Sequence, residues 1–234
     1  MINPNKKINK STHPFPYIII EDFFENDFYK KIESEFPIKK DFLKFQNSKV
    51  GRMNYDISFG DELYSNLINK SSTFKLLHDF IYGEKFMKMF LDLFSKDIED
   101  EIKNSFLKID IKNTPLRVQP YEVNNIISKH DFKKKKNDFL YPRLDIGIGE
   151  IGYGKKFGGG GIHIDNPQRI ISILFFAGGY KKMIGGEHRI WKKINNEMKI
   201  EKVIQPKPNL LLASIQNNVG FHDVNPITYI EGSR

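Results

Sequence analysis

Residues 17–24 (YIIIEDFF) are a run of β-branched and aromatic side chains and predict a strand. Behind Asn26, a helix-capping residue type, Phe28, Ile32 and Phe36 recur on one helical face, and Pro37 ends the pattern. The stretch 39–60 has weak periodicity and reads as loop or short strand. From Asp61 to about Phe106 the spacing is helical. Ser71 or Ser72 caps the set Phe74, Leu77 and Ile81, Gly83 interrupts it, and Phe86, Met89, Phe90, Leu93 and Phe94 resume it at i, i+3, i+4 spacing. Such an aromatic and Met stripe reads as core packing rather than as a ligand box.

After Leu107 the helical period fades. Short apolar segments at 144–151, 162–164, 170–177, 188–191, 198–204, 209–214 and 220–224 alternate with Gly, Asn, Pro and Lys turns, the pattern of a sandwich or barrel. The chain shows neither an internal repeat nor an obvious linker. The expectation is therefore an α+β protein. Residues 1–14 form a flexible N-terminal arm and 15–234 a single domain, with 15–106 a helix-rich support and 107–234 the β core.

Composition sharpens this picture mainly by exclusion. With 234 residues, 39% hydrophobic and 28% charged, the chain is of one-domain size and can bury a core. It has no cysteine, which removes disulfides, thiolate metal sites, iron–sulfur clusters and cysteine nucleophiles together. No apolar run reaches the roughly 18 residues of a spanning helix, and the polar first residues do not form a secretory signal. The expected setting is soluble and cytoplasmic, with no membrane partner. The formal charge of +8 and pI near 9.3 would attract polyanions, but most basic residues alternate with acidic ones. The one dense block, Lys133 to Lys136, reads as a solvated loop, and no helix-turn-helix, zinc-finger or aromatic RNA-binding motif accompanies it. Nucleic acid is not an expected partner.

Gly147, Gly149 and Gly152 match the dinucleotide-binding pattern G-x-G-x-x-G. That chemistry needs a helix opening at the glycines, so that its N-terminus receives the pyrophosphate. Here Gly154 and Gly158 to Gly161 follow, too many glycines to sustain a helix. Turns and strand ends are expected instead, where backbone comes close to a neighbour.

Of six histidines, His13, His78 and His130 read as structural or solvent-exposed, while His163, His188 and His222 fall in the β region. His163 and Asp165 flank Ile164. In a strand, residues i and i+2 project from one face, so an imidazole nitrogen and a carboxylate oxygen can converge on one point. His222 arrives on a second β segment, 57 positions after Asp165. Two imidazoles and one carboxylate on one side of a metal leave its other side open, which suits non-haem iron(II) oxygenases, and without cysteine a structural zinc is disfavoured.

Five ordered blocks then carry a resemblance. They are His163-Ile-Asp165-Asn-Pro167, the apolar strand from Ile170 to Phe176, Gly185-Gly-Glu-His-Arg-Ile-Trp191, Pro208-Asn-Leu-Leu-Leu212 and His222-Asp-Val-Asn-Pro226. Together with the early Pro14-Phe-Pro-Tyr-Ile-Ile-Ile-Glu-Asp-Phe-Phe24, they resemble the prolyl-hydroxylase-like branch of the iron(II)/2-oxoglutarate-dependent oxygenases, most densely over 144–234.

The resemblance implies a double-stranded β-helix, the jelly-roll or cupin-like core, with the helix-rich part packed against it. It implies that His163, Asp165 and His222 ligate iron(II), that 2-oxoglutarate chelates the same ion, and that ascorbate serves as a reductant. Arg234, the only basic residue after His222, would pair with the far carboxylate, since a guanidinium can bond both its oxygens. It stands 12 positions after His222, later than the family usually has it. Tyr153 resembles a tyrosine that some relatives place against 2-oxoglutarate; an aromatic packed in a turn is the other reading. Where some relatives carry a further tyrosine, Phe175 and Phe176 stand here. Because Asp165 is present where related halogenases have a small residue, hydroxylation or another oxidation is the implied reaction, coupled to conversion of 2-oxoglutarate to succinate and CO2. The substrate would be a small molecule or peptide, an amino-acid side chain or a metabolite.

The alternative is a non-catalytic or 2-oxoglutarate-independent metal-binding module on the same fold. Among smaller features, Arg169 either reaches the pocket mouth or faces solvent, His188 is not a ligand, Trp191 packs in the sandwich, and 115–137 could act as a lid.

Overall fold

The computed structural model describes residues 1–43, 54–58, 61–104, 113–114, 140, 142–155, 161–165 and 169–232. The chain opens with β1 (Lys7–Ser11), β2 (Tyr17–Glu21), α1 (Asn26–Glu35), α2 (Lys39–Leu43) and β3 (Asn54–Ser58). Four helices follow, α3 (Glu62–Lys70), α4 (Ser72–Ile81), α5 (Glu84–Leu93) and α6 (Ser95–Asn104). Among the described residues after α6 the elements are strands: β4 (Asp145–Gly149), β5 (Ile171–Phe176), β6 (Lys182–Ile184), β7 (His188–Ile194), β8 (Glu197–Ile204), β9 (Leu210–Ile215), β10 (His222–Val224) and β11 (Tyr229–Glu231). Among the described residues, no helix is long and apolar enough to cross a membrane.

All strand pairs are antiparallel, in sheets ordered β1-β2-β9-β5, β10-β7-β8, β11-β6 and β3-β4. Among the described residues these sheets do not close into a barrel. The class is mixed α and β.

The four-stranded sheet is the middle layer, and alternation along its central strands shows why. Ile18 and Ile20 of β2, with Leu211, Ala213 and Ile215 of β9, face a cluster that contains Phe74, Phe86, Phe90 and Phe94 of the helices. Tyr17 of β2, with Leu210 and Leu212 of β9, faces Ile190 and Ile204 of the β10-β7-β8 sheet. Strands buried on both faces read as continuous apolar runs, which accounts for YIIIE and LLLASI. On the edge strand β5, Phe175 packs against Phe23, Phe24 and Tyr29 on the helical side. Its neighbours at even positions, Ser172 among them, therefore face the second sheet.

The helical elements form largely where the hydrophobic period places them. Ser71 Oγ accepts from the Phe74 backbone N–H at 2.9 Å and caps α4. Asn26 is the first helical residue of α1 rather than its cap; Glu25 precedes it without a side-chain bond to the helix. The glycine-rich match at 147–152 is a strand followed by a turn, with no helix among the described residues there to receive a phosphate.

Two expectations about organisation are corrected. Residues 1–14 are not a flexible arm: β1 pairs along its full length with β2, Ile2 bridges Phe24, and the N-terminal ammonium meets Glu25. Nor does residue 106 divide a support from a β core. β2 lies inside the four-stranded sheet, because its two apolar faces are buried only between the helices and the second sheet.

Beyond β6 the backbone approaches the 225–227 segment closely. Gly186 N–H donates to the Asn225 carbonyl at 2.8 Å, and Thr228 N–H to that of Ile184 at 2.9 Å. Gly185 adopts φ +88°, and a Cβ there would fall on the Pro226 carbonyl. Gly185→Ala is expected to cost roughly 2 kcal/mol through left-handed strain and this clash, seen as a lowered urea midpoint. An unchanged midpoint would mean that the segment yields freely.

Candidate metal centre

The site forms where 161–165 meets β10. His163 and His222 exchange backbone bonds, His163 N–H to His222 O at 3.0 Å and His222 N–H to His163 O at 2.9 Å. Among the described residues only this one bridge forms, so 162–164 is not the strand that the sequence suggests. It still presents His163 beside His222, with ring centroids 4.5 Å apart. Asp165, two residues on, completes the group: one ligand atom from each of His163, Asp165 and His222 lies within 4.8 Å of the others. Asp165 Oδ1 is 4.0 Å from His163 Nε2 and 3.8 Å from His222 Nε2.

Each side chain has its other polar atom occupied. His163 Nδ1 donates to the Gly161 carbonyl at 2.7 Å, and His222 Nδ1 to that of Gly220 at 2.9 Å. With the N–H at Nδ1, both Nε2 lone pairs are left for a ligand, the arrangement in which backbone carbonyls orient metal-binding imidazoles. Asp165 Oδ2 accepts from Ser172 Oγ at 2.7 Å and from Arg169 NH1 at 3.1 Å, so Oδ1 faces the imidazoles. Two donors about 2.1 Å from one ion at right angles stand about 3 Å apart. The observed gaps are somewhat wider, and a contraction of about an ångström brings the three atoms onto a shared divalent ion. The residues fit a metal with two imidazoles, one carboxylate and an open side.

Electrostatics favour the deprotonated forms of Asp165 and His222. Burial works to raise the Asp165 carboxyl, but the Ser172 hydrogen bond, the Arg169 guanidinium and the two imidazoles outweigh it and hold it below the ordinary carboxylate range. Burial lowers His222, against the opposing Gly220 carbonyl bond. His163 is the exposed member, its side chain 45% accessible against 12% for His222, so the open side lies towards His163.

Ser172 escapes a reading for motifs. Its signal is a hydroxyl in the otherwise apolar strand Ile-Ser-Ile-Leu-Phe-Phe, seven positions after Asp165. It ties the metal segment to the four-stranded sheet. Ser172→Ala is expected to weaken Mn(II) binding about tenfold with little change in fold, read by calorimetry; an unchanged affinity would show that Arg169 alone suffices. Arg169 faces solvent, its side chain 47% exposed, and from there pairs with Asp165.

A second polar group secures β10 from the other face. Buried Asp223 accepts from Arg189 Nε at 2.8 Å, Arg189 NH2 at 2.5 Å and Trp191 Nε1 at 2.8 Å. Trp191 is thus a hydrogen-bond donor as well as a packing group. Arg189 NH1 continues to Asn225 Oδ1 at 2.9 Å. These bonds fix the strand that carries His222.

His188 lies beside the centre but is no part of the ligand set. Its ring stacks on His222 at 5.2 Å, its Nδ1 is buried without a hydrogen-bond partner, and burial lowers its pKa to about 3. The unfolded chain takes up this proton near the ordinary 6.5, the folded chain only near 3, so His188's contribution to stability is complete above 6.5 and declines as pH falls through that window. The metal-free protein is expected to lose about 2 kcal/mol between pH 7 and pH 5 from this group, and His188→Leu to lose less. Equal acid sensitivity of both in urea titrations would contradict that.

Tyr153 stands in the turn after β4, and its carbonyl accepts from Ile227 N–H at 2.9 Å. Gly154, at φ +93°, lies where a Cβ would come within 2.6 Å of the Val224 carbonyl. The turn thus packs on the chain just past His222 and is the close backbone approach that the glycines suggest. Arg234, His130, the lysine block and the 115–137 stretch lie outside the described residues. No protein-family model matches this chain, and no curated protein matches it at a significant level.

Proposed function

We propose that the chain is an iron(II)- and 2-oxoglutarate-dependent dioxygenase that hydroxylates an amino-acid side chain or small metabolite. The observation that carries this is the convergence of His163 Nε2, Asp165 Oδ1 and His222 Nε2, each with its remaining polar atom already satisfied. Two neutral imidazoles and a carboxylate with open positions are the donor set of non-haem iron(II) oxygenases. The two facing antiparallel sheets support a double-stranded β-helix as the core, with the site between them. When bound, iron(II) and 2-oxoglutarate would supply oxygen activation coupled to decarboxylation to succinate and CO2.

The chain's own residues do the placing. His163 and His222 hold the ion through Nε2, Asp165 through Oδ1, and Ser172 and Arg169 keep the carboxylate ionised and oriented. The exposed His163 side admits substrate. Arg234 and Tyr153 are the proposed contacts to 2-oxoglutarate.

The test is succinate release from 2-oxoglutarate in air with iron(II) and ascorbate, wild type against His163→Ala. Succinate formed by the wild type and lost in the variant is expected. No succinate above the variant's level, with iron bound, would favour a metal-binding module that does not use 2-oxoglutarate.

A further inference from the structure

His222 lies opposite Ile190 in the β10–β7 ladder, and Val224 lies opposite His188. Directly opposed residues share a face, as do residues two apart on one strand. His188 therefore points to the same side as Ile190 and His222, into the layer where Ile190 meets Tyr17 and Leu212. His163, His222 and His188 form a row across three neighbouring backbone segments, with ring separations of 4.5 and 5.2 Å. The first two spend both nitrogens, one on a backbone carbonyl and one on the candidate metal position. His188 is 6% exposed and its Nδ1 has no hydrogen-bond partner among the described residues.

A buried polar atom without a partner is costly, and native chains retain one chiefly where something else satisfies it. An apolar side chain would fill this wall of the core without that cost. Ile190, two residues along the same strand, does so at 1% exposure. Of the described arginines near the site, Arg169 is engaged with Asp165 and Arg189 with Asp223 on the opposite face of β10. The orphaned nitrogen is thus a polar group on the inner wall, next to a metal ligand and still to be partnered.

We infer that His188 is a co-substrate-binding residue, whose Nδ1–H donates a hydrogen bond to a carboxylate oxygen of the 2-oxo acid held at the metal. This rests on the proposed dioxygenase function, and it assigns to the buried wall a role in binding the anion rather than the ion. A ligand that brings its own acceptor removes the orphan, and burial makes that bond stronger than it would be in water.

The test uses Mn(II), which occupies such sites without turnover. Calorimetry measures Mn(II) affinity first, and then 2-oxoglutarate affinity of the Mn(II)-loaded protein, for wild type, His188→Leu and His188→Asn, with folding checked by circular dichroism. In His188→Leu, 2-oxoglutarate is expected to bind about 10- to 100-fold more weakly while Mn(II) affinity stays within about threefold. His188→Asn, whose amide can place a donor where Nδ1 stood, is expected to recover most of the loss. Unchanged 2-oxoglutarate affinity in His188→Leu overturns the assignment. Parallel loss of Mn(II) also overturns it, because His188 would then act by packing His222 in place. If wild type binds Mn(II) but not 2-oxoglutarate, the dioxygenase proposal itself fails, and the role of His188 falls with it.

Discussion

Replacing His222 or His163 by alanine is expected to lower divalent-metal affinity by at least about 100-fold, with the fold preserved. Removing a partner that merely orients a metal ligand costs about 10- to 100-fold, and removing one of three ligands costs more. Nothing among the described residues takes over: His188 lies outside the ligand group, and Asp223 is turned to the far side of β10 and held by Arg189. His163 is the cleaner position, since its side chain is 45% exposed and its loss leaves no cavity. Mn(II) titrations of the two variants and wild type, with circular dichroism as control, read the effect. Wild-type affinity in either variant would remove that histidine from the site.

The second large effect is on stability. Asp223→Ala leaves the Arg189 charge without its counter-ion, with Asn225 Oδ1 as a remaining acceptor, and the Trp191 N–H without its acceptor, in a place where water reaches poorly. Breaking a buried pair by deleting one partner costs about 3–5 kcal/mol, and Arg189's side chain, 21% exposed, puts this pair towards the lower end. For a chain of 234 residues that is a fall of about 10 °C in Tm. Arg189→Met in the same background is expected to restore part of it, because the stranded charge is gone and the hydrocarbon still covers Trp191. The metal site is expected to weaken alongside, since Asp223 adjoins His222 on β10. Additive losses in the double variant would show that the pair does not act as a unit.

How much of this was legible in the chain differs by element. The runs around Ile18–Ile20 and Leu210–Ile215 read as strands because both their faces are buried, and Ser71 reads as a cap because its hydroxyl has a donor within reach. His163, Asp165 and His222 could be named because the i, i+2 spacing and the second β segment survive as geometry. Their supports could not. Ser172 matters only because β5 is an edge strand turned towards the second sheet, and Arg189 and Asp223 meet only through a register between β7 and β10. The N-terminal residues look unattached in sequence because β1 is polar and mostly exposed, and its order comes from backbone pairing with β2. His188 reads as no ligand, three being enough, and sequence does not show that its nitrogen is buried without a partner among the described residues.

The most direct measurement is crystallographic: anomalous diffraction at the iron edge from crystals loaded with iron(II) without oxygen. A single strong peak about 2.0–2.2 Å from His163 Nε2, His222 Nε2 and an Asp165 oxygen is expected. A fully loaded crystal with its iron elsewhere, or these three side chains free of any ion, would contradict a shared metal centre.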